Sequence, residues 1–407
     1  MTAVAGLRGT GNWGADERPK DFREMILWRN PNGSAPITAL MARAQKSAVS
    51  DPEFNWWDEP VDIFRLQVNG ALGTGDETIV VDSLDPDATN PDRVYGTATH
   101  LKRGDILQVE SEAAAYNNEL LEVVTVISDT QFTVKRGAAG TTAAAISDNA
   151  FLLKIGSAYA EGTPAADAVS RNPIKYNNYC QIFKTSYELT GTAEVTSTRT
   201  GDPLKNDKRR KMSDHSIDLE QALLWGVKNE TTGANGKPLR YTDGLRSFIP
   251  ASNVTIFAAA VTTSTFLDAV SPVFEYSSQA GDERVVFCGN TFLNEWNKIV
   301  QAAGDIQLGA IINQYGLNLR EYIMPQGSLF FKRHPLMNRN ALYQKSAFIV
   351  DFSALRWRHT KGRDTHFEDN IQLPGEDLRK GQWFTEGGLE VWYGGLTCGY
   401  IGNMSAT

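Results

Sequence analysis

Cysteine and histidine are scarce in this chain. The three cysteines, Cys180, Cys288 and Cys398, lie far apart, and the five histidines, His100, His215, His334, His359 and His366, are scattered. Thiols at such spacings exclude a disulfide framework and a closely spaced metal–thiolate set, and they suit a reducing compartment. Long apolar runs are missing too. No stretch of about 18 apolar residues occurs, and Met1 to Gly14 holds no apolar signal core, so the expectation is cytoplasmic synthesis with neither secretion nor membrane insertion. Positive charge is in deficit: Lys and Arg number 40 against 48 Asp and Glu, a net charge of −8. Holding nucleic acid as a main task needs a basic surface that neutralises phosphates, which this balance argues against, although a local basic strip remains compatible with it.

What is present is the composition of a folded protein, 41% hydrophobic and 22% charged over 407 residues, long enough for two or three cores. The chain is organised around Tyr179 to Asn229: an extended segment, Gln181-Ile-Phe-Lys-Thr-Ser-Tyr-Glu-Leu-Thr190, a Gly-Thr turn, then one long polar helix. Asp202 is a good N-cap, and Pro203 sits where a helix has no use for an amide donor. The seam Met212, Ser216, Leu219, Leu223, Val227 repeats at helical spacing, which predicts a helix from about 203 to 228. About 25 residues at roughly 1.5 Å each make a rod of nearly 40 Å. Its first half, Lys205-Asn-Asp-Lys-Arg-Arg-Lys211, is charged nearly all round, so the expectation is a surface that meets other chains.

The flanking segments differ in texture. Residues 1–60 are punctuated by Gly and Pro, with one helical patch at Pro36 to Arg43, yet carry Trp13, Trp28, Phe54, Trp56 and Trp57. Large aromatics on a segment without a core of its own predict an arm that docks elsewhere. Short β-branched runs follow at Thr78–Val81, Ile106–Val109, Leu120–Ile127, Phe132–Val134 and Phe151–Ile155, the spacing of a small barrel or sandwich inserted over about 66–155. After the helix comes an exposed loop, Thr231 to Pro238, and then mixed α and β: a helix over Thr265–Ser277 kinked at Pro272, a buried strand Arg284–Cys288, a helix from Asn290 with Phe292, Leu293, Trp296, Ile299 and Val300 on one side, and strands to the end. The fold class is α+β with a central sheet.

No convergent chemistry is legible. Thr133 to Thr142 has two glycines but lacks the Lys-Ser/Thr ending and following helix of a phosphate cradle, so a glycine-bearing loop is expected. His359, Asp364 and His366 match neither a helical pair of ligands nor a known finger, and His215 is taken as a polar-face residue. Carboxylate pairs such as Asp58/Glu59, Asp76/Glu77 and Glu110/Glu112 are too common to assign as acid and base. No catalytic residue, cofactor or metal is assigned. The basic run has two readings: a solvated face tied by local pairs such as Asp207 with Lys211, or an intersubunit or scaffold contact.

The order of these parts, with Phe54-Asn-Trp-Trp-Asp-Glu59 before the insertion, Gln181 to Thr192 before the helix, Ile217-Asp-Leu-Glu-Gln-Ala-Leu-Leu-Trp-Gly226 at its end, Phe348-Ile-Val-Asp351 and Glu386-Gly-Gly-Leu-Glu-Val391, resembles the major capsid proteins of tailed bacteriophages. The resemblance implies the Hong Kong 97-type shell fold shared with herpesviruses. It makes 1–60 the N-terminal arm, 61–178 the extended loop with its inserted β domain, and 179–244 the peripheral domain with spine helix 203–228. Residues 245–350 become the axial domain, 351–388 peripheral-domain strands and a loop, and 389–407 strands returning to the axial domain. The departures are the size of the extended loop and the near absence of a leading helical segment before the arm, from which a separate scaffolding protein is expected.

What the resemblance implies for function is structural: pentamers and hexamers of one chain closing an icosahedral shell around double-stranded DNA, assembled in the host bacterial cytoplasm. Partners are then copies of itself, the scaffolding protein, a portal at one vertex, a decoration protein, and DNA by weak contact. Some such shells are welded between lysine and asparagine, and no residue here is assigned to a weld. Trp56, Trp57, Lys205, Lys208, Arg209, Arg210 and Lys211 are the candidate assembly contacts. An encapsulin-like bacterial nanocompartment shell, a phage decoration or tail subunit, and a soluble hydrolase active as a monomer are the alternatives. Deleting residues 1–60 is expected to leave a soluble, folded subunit that fails to form stable shells by electron microscopy, and normal particles would make the arm dispensable.

Overall fold

The computed structural model describes residues 46–59, 65–82, 98–110, 119–168, 173–196, 198, 201–279, 281–303, 311–314 and 317–405. The predicted helical patch at Pro36 to Arg43, together with Trp13 and Trp28, lies outside them. Two strands near the middle of the larger sheet, Glu283–Cys288 and Ala347–Val350, are buried almost throughout. Such strands need apolar side chains on both faces, which Arg284-Val-Val-Phe-Cys and Ala347-Phe-Ile-Val supply. Alternation then assigns the faces. Val285, Phe287, Phe348 and Val350 join one core, with Leu219, Leu223 and Leu224 of the long helix. Val286, Cys288, Ala347 and Ile349 join another, with Phe266, Phe292, Trp296 and Ile299.

This sheet has seven strands in the order Val254–Ile256, Gly399–Gly402, Ala347–Val350, Glu283–Cys288, Gly327–Arg333, Leu317–Met324, Ile311–Gln314. Val254–Ile256 runs parallel to Gly399–Gly402, and Glu283–Cys288 to Gly327–Arg333. Two helices cover its second face. Thr263–Val270 is closed at its start by a reciprocal capping box between Thr262 and Thr265 and passes at Pro272 into a 3-10 turn, Ser271–Phe274, where the kink was expected. Asn290–Ala303 presents Phe292, Trp296, Ile299 and Val300 to the core.

A second sheet orders Lys46–Val49, Leu355–Thr360, Leu378–Val391 and Gln181–Thr190, with His366–Glu368 also paired to Leu378–Val391. Two sequence-based boundaries shift here. Leu378–Val391 is a single strand, so the division placed between 388 and 389 falls inside it. Residues 46–58 are built into the body: Lys46–Val49 pairs in parallel with Trp357–Thr360, and Glu53–Asp58 pairs with Ile174–Tyr179. The last part of the expected arm therefore belongs to the subunit's own sheets. The truncation that spares the described structure ends at 45.

The long helix runs Pro203–Trp225, 23 residues and so about 35 Å. Asp202 caps it as expected, its carboxylate accepting from Leu204 N and Lys205 N at 2.9 and 3.3 Å. The inward face differs from the predicted seam: His215, Leu219, Glu220, Leu223 and Leu224 are buried, whereas Met212 is exposed and Val227 lies beyond the end. The predicted seam began one turn early, and the predicted end at 228 is three residues late. Nor is the charged half detached from its own chain. Trp383 Nε1 donates to Lys208 O at 3.2 Å, and Lys208 Nζ lies 3.5 Å from the Phe367 ring centre.

Residues 65–157 form a six-stranded sheet ordered Arg65–Gln67, Phe151–Ser157, Asp105–Glu110, Leu120–Ser128, Gln131–Lys135, Thr78–Val80. Its edges meet: Asn69 N donates to Val80 O at 2.9 Å, and Asp82 N to Gln67 O at 3.0 Å. The sheet is thus closed into a barrel, the first of the two forms the strand spacing allowed. Leu66, Ile79, Leu107, Leu121, Phe132 and Leu152 fill it together with Ala98 of the 3-10 turn Ala98–His100, and among the described residues no buried residue from outside 65–157 joins this core. Because that core is separate, Leu121→Ala should destabilise the barrel by about 2–5 kcal/mol while leaving the body's melting transition unchanged. Differential scanning calorimetry showing one transition that moves as a whole would refute that independence.

Candidate assembly interface

The residues singled out as assembly contacts separate into three environments. Trp56 is in the subunit's own core: it is 7% exposed, its Nε1 donates to Val391 O at 3.1 Å, and it stacks with Phe54 and Tyr176. Its neighbour Trp57, on the opposite side of the strand, is 63% exposed. Alternation along Glu53–Asp58 explains the split, since consecutive side chains point to opposite faces.

Within the basic run, Lys205, Arg209 and Arg210 are exposed and Lys208 and Lys211 half-buried. The local pairs are Arg210 with Asp207 at 3.4 Å and Lys211 with Asp214 at 3.8 Å, each three residues apart, in place of the expected Asp207–Lys211 pair. Ion pairs this exposed contribute about 0–1 kcal/mol. They leave the helix start a positive ridge on an acidic protein.

The opposite end of the helix carries a feature the sequence did not reveal. A cleft of about 460 Å³ is lined by Gln221, Trp225, Val227, Tyr241, Arg339 and Tyr343, among others. Val227 (70%) and Tyr241 (39%) in its lining expose apolar surface. Its residues come from the helix end, from the hairpin Asn229–Thr232/Pro238–Tyr241 and from the turns after Gly327–Arg333. Only the fold brings them together.

The remaining candidates for chemistry find structural partners. Cys180 and Cys398 are buried, with their thiol pKa values pushed up to about 11 and about 12 by loss of solvent, and Cys288 is raised further still, so none is a thiolate near neutral pH. Asp364 receives Lys46 Nζ at 3.1 Å and Trp357 Nε1 at 3.2 Å, while His366 contacts Asp364 O and Glu368, so the three residues 359, 364 and 366 do not converge on a common point. Among the described residues no group of three or more His, Cys, Asp or Glu is placed to hold a metal. The loop at 133–142 already holds an anion of its own. Glu119 accepts from Gly137 N and, just past the loop, Ala144 N, and pairs with Arg136 at 2.7 Å in the barrel wall. The glycine amide at 137 is therefore taken by this carboxylate.

Two helix residues expected at the surface or unassigned anchor it instead. Glu220 Oε1 lies 2.7 Å from His334 Nε2, both fully buried. His215, taken from sequence as a polar-face residue, is 3% exposed, with Thr185 Oγ1 at 3.1 Å from Nδ1 and Thr385 Oγ1 at 2.8 Å from Nε2. Burial lowers its pKa to about 4. The unfolded chain, with an ordinary value of about 6.5, then takes up a proton that the folded chain refuses. Stability from this site is complete above about pH 6.5 and is lost as the pH falls toward 4. In urea titrations of the unassembled subunit, His215→Gln should shrink the stability difference between pH 7 and pH 4.5 by about 2 kcal/mol. Identical pH dependence in both proteins would exclude a neutral buried His215.

A family model described as the SU10 major capsid protein matches residues 4–401. A major capsid protein of Pseudomonas phage PaMx41 is 27% identical over 406 residues, covering 98% of this chain and 92% of the relative. Among solved structures, the capsid of a native GTA particle aligns over 98% of both chains at 9% identity and a TM-score of 0.46. The SrpI encapsulin of Synechococcus elongatus aligns over 60% of this chain and 79% of its own at 9% identity and a TM-score of 0.39.

Proposed function

The chain belongs to the SU10 major capsid protein family, and from that premise we propose how its parts share the work of building a phage shell. It is a phage major capsid protein of α+β, Hong Kong 97-type fold that assembles with copies of itself into the virion capsid. The match along nearly the whole chain, 4–401, carries this conclusion.

In the proposed division of labour, pentamers and hexamers close an icosahedral shell around double-stranded DNA in the host cytoplasm. The seven-stranded sheet and its two helices act as the axial domain. The long helix and the second sheet act as the peripheral domain, and 61–178 is the extended loop with the barrel as its inserted domain. Shell closure needs many modest contacts acting together, because one contact strong enough to hold alone would trap wrong assemblies. Exposed single apolar groups and weak surface ion pairs, such as Trp57, Val227 and the ridge Lys205, Lys208, Arg209, Arg210 and Lys211, are contacts of that size. A separate scaffolding protein, a portal and a decoration protein complete the proposed partners. DNA is contacted weakly, in keeping with a net charge of −8. The second reading is a nanocompartment shell of the same fold, and the major capsid description of the family together with the phage source of the relative favours the first. Among the described residues, the histidine, thiol and carboxylate environments above form no convergent catalytic set of the kind a hydrolase needs.

Electron microscopy and sedimentation of the chain alone and with its phage's scaffolding protein test the reading. Uniform closed shells, or pentamers and hexamers that become shells with the partner, are expected, whereas a persistent monomer under both conditions would overturn it. The two tryptophans give a sharper test. Trp56→Ala should cost the isolated subunit about 3–5 kcal/mol, seen as a lower Tm. Trp57→Ala should leave Tm unchanged and reduce the yield of shells; equal losses of Tm for both would place Trp57 in the core.

A further inference from the structure

Beside the stalk formed by Glu53–Asp58 and Ile174–Tyr179 lies a cleft of about 250 Å³ lined by Trp56, Trp57, Asp58, Trp392 and Tyr393. Four of its five residues are aromatic and the fifth is a carboxylate. We propose that this cleft is a socket for a lysine ammonium presented by a second copy of the chain, with Asp58 as its counter-ion. The inference rests on the capsid reading and adds to it one defined intersubunit contact.

The chemistry of the lining selects the occupant. Aromatic faces are negative and attract cations, and a carboxylate on the stalk face shared with Trp56, beside Trp392 and Tyr393, favours a positive group over an apolar or anionic one, while Trp57 borders the cleft from the opposite face of the strand. One ring already behaves this way: the Arg356 guanidinium lies 4.1 Å from the Trp392 ring centre. That arginine occupies a place in the chain's own core, donating to Ser353 O and Leu355 O, so it does not serve Asp58. Among the described residues no cation is paired with Asp58, whose carboxyl pKa is raised by loss of solvent and held back only by a backbone hydrogen bond. Lys175 faces Trp57 across the stalk, on the side away from Asp58, because Asp58 is paired with Ile174 and adjacent side chains alternate. The carboxylate is therefore partly desolvated without a partner, a cost that a cation from outside would relieve.

Two further observations favour a built site. Tyr393, which forms one wall, has φ of +56°, a left-handed conformation that bulky residues rarely adopt and that persists only where the surroundings enforce it. Trp392 is fixed by its Nε1 donating to Glu390 Oε1 at 2.5 Å and meets Tyr393 edge to face. The walls are thus held before any partner arrives. Lysine suits the cleft better than arginine, because a single carboxylate satisfies a compact point charge, whereas a guanidinium presents five donors in a planar fork. The partner is a copy of this chain because a shell places identical subunits edge to edge, and each brings exposed lysines, among them Lys205, on the positive ridge of the long helix.

Shells assembled from mixed unlabelled and 15N-labelled chains and treated with a water-soluble carbodiimide test this, because the reagent joins a carboxylate to an amine only where the two touch. The expected product is a peptide linking Asp58 to a lysine, recovered in mixed-isotope form and lost from Asp58→Asn shells. Asp58→Asn should also raise the protein concentration for half-maximal assembly about three- to tenfold at 0.15 M salt, with the Tm of the unassembled subunit unchanged. Wild-type shells in which Asp58 is unlinked, or linked only within one chain, overturn the inference and leave the capsid reading standing. Failure of the wild-type chain and its scaffold to form shells at all would instead overturn that reading.

Discussion

At the end of the long helix, stretches of backbone pass so close together that no side chain fits between them. A Cβ on Gly226 would strike Thr242 O and Ala222 O, and one on Gly244 would strike Gly226 N and Ala222 O. Beside them the buried amide of Asn178 uses both ends: its nitrogen donates to Thr242 Oγ1 and to Leu389 O at 2.7 Å, and its oxygen accepts from Tyr179 N and Asp243 N, each at 2.8 Å. This junction fastens the exit of the inserted barrel, the exit of the helix and the long strand Leu378–Val391 to one another. A buried polar group costs free energy unless satisfied, so the network specifies one arrangement of these three segments. The angle at which the helix leaves the body follows from it.

With its end fixed, the helix lies across both sheets and is held by two different kinds of contact. Leu219, Leu223 and Leu224 enter the core beneath the seven-stranded sheet. Glu220 pairs with His334 among these leucines, and farther out the contacts turn polar: His215 between two threonine hydroxyls and the Lys208 carbonyl receiving Trp383. A helix can thus carry charge over most of its first half and still be held by its own subunit. The charges then remain outside, where ion pairs are weak and reversible.

The stalk shows the same economy of placement at the scale of single residues. Trp56 and Trp57 are chemically identical and adjacent, yet one is packed against Tyr176 and Phe248 and the other faces solvent. The strand's alternation divides them, and pairing with Ile174–Tyr179 decides which way each points. One ring completes the subunit's own core and the other stays at its surface.

The local signals in the sequence were enough to place the helix cap at Asp202, the buried strand at Arg284–Cys288, five of the six strands of the barrel, and the order of parts that identifies a capsid protein. These depend on residue type and short-range periodicity, which a linear chain displays directly. The burial of His215, the incorporation of residues 46–58 into the body, the unbroken run of Leu378–Val391 and the closure of the barrel were not legible there. Each depends on a partner more than a hundred residues away or on which edge of a sheet is free, and periodicity carries no record of either. The same holds for the aromatic cleft, whose walls at 56–58 and 392–393 meet only in space. The sequence by itself determined which segments are helix, strand and core and what kind of protein they compose. The tertiary structure decided which face of each segment is buried in the subunit and which stays exposed, because burial is a property of pairs of surfaces and not of residues.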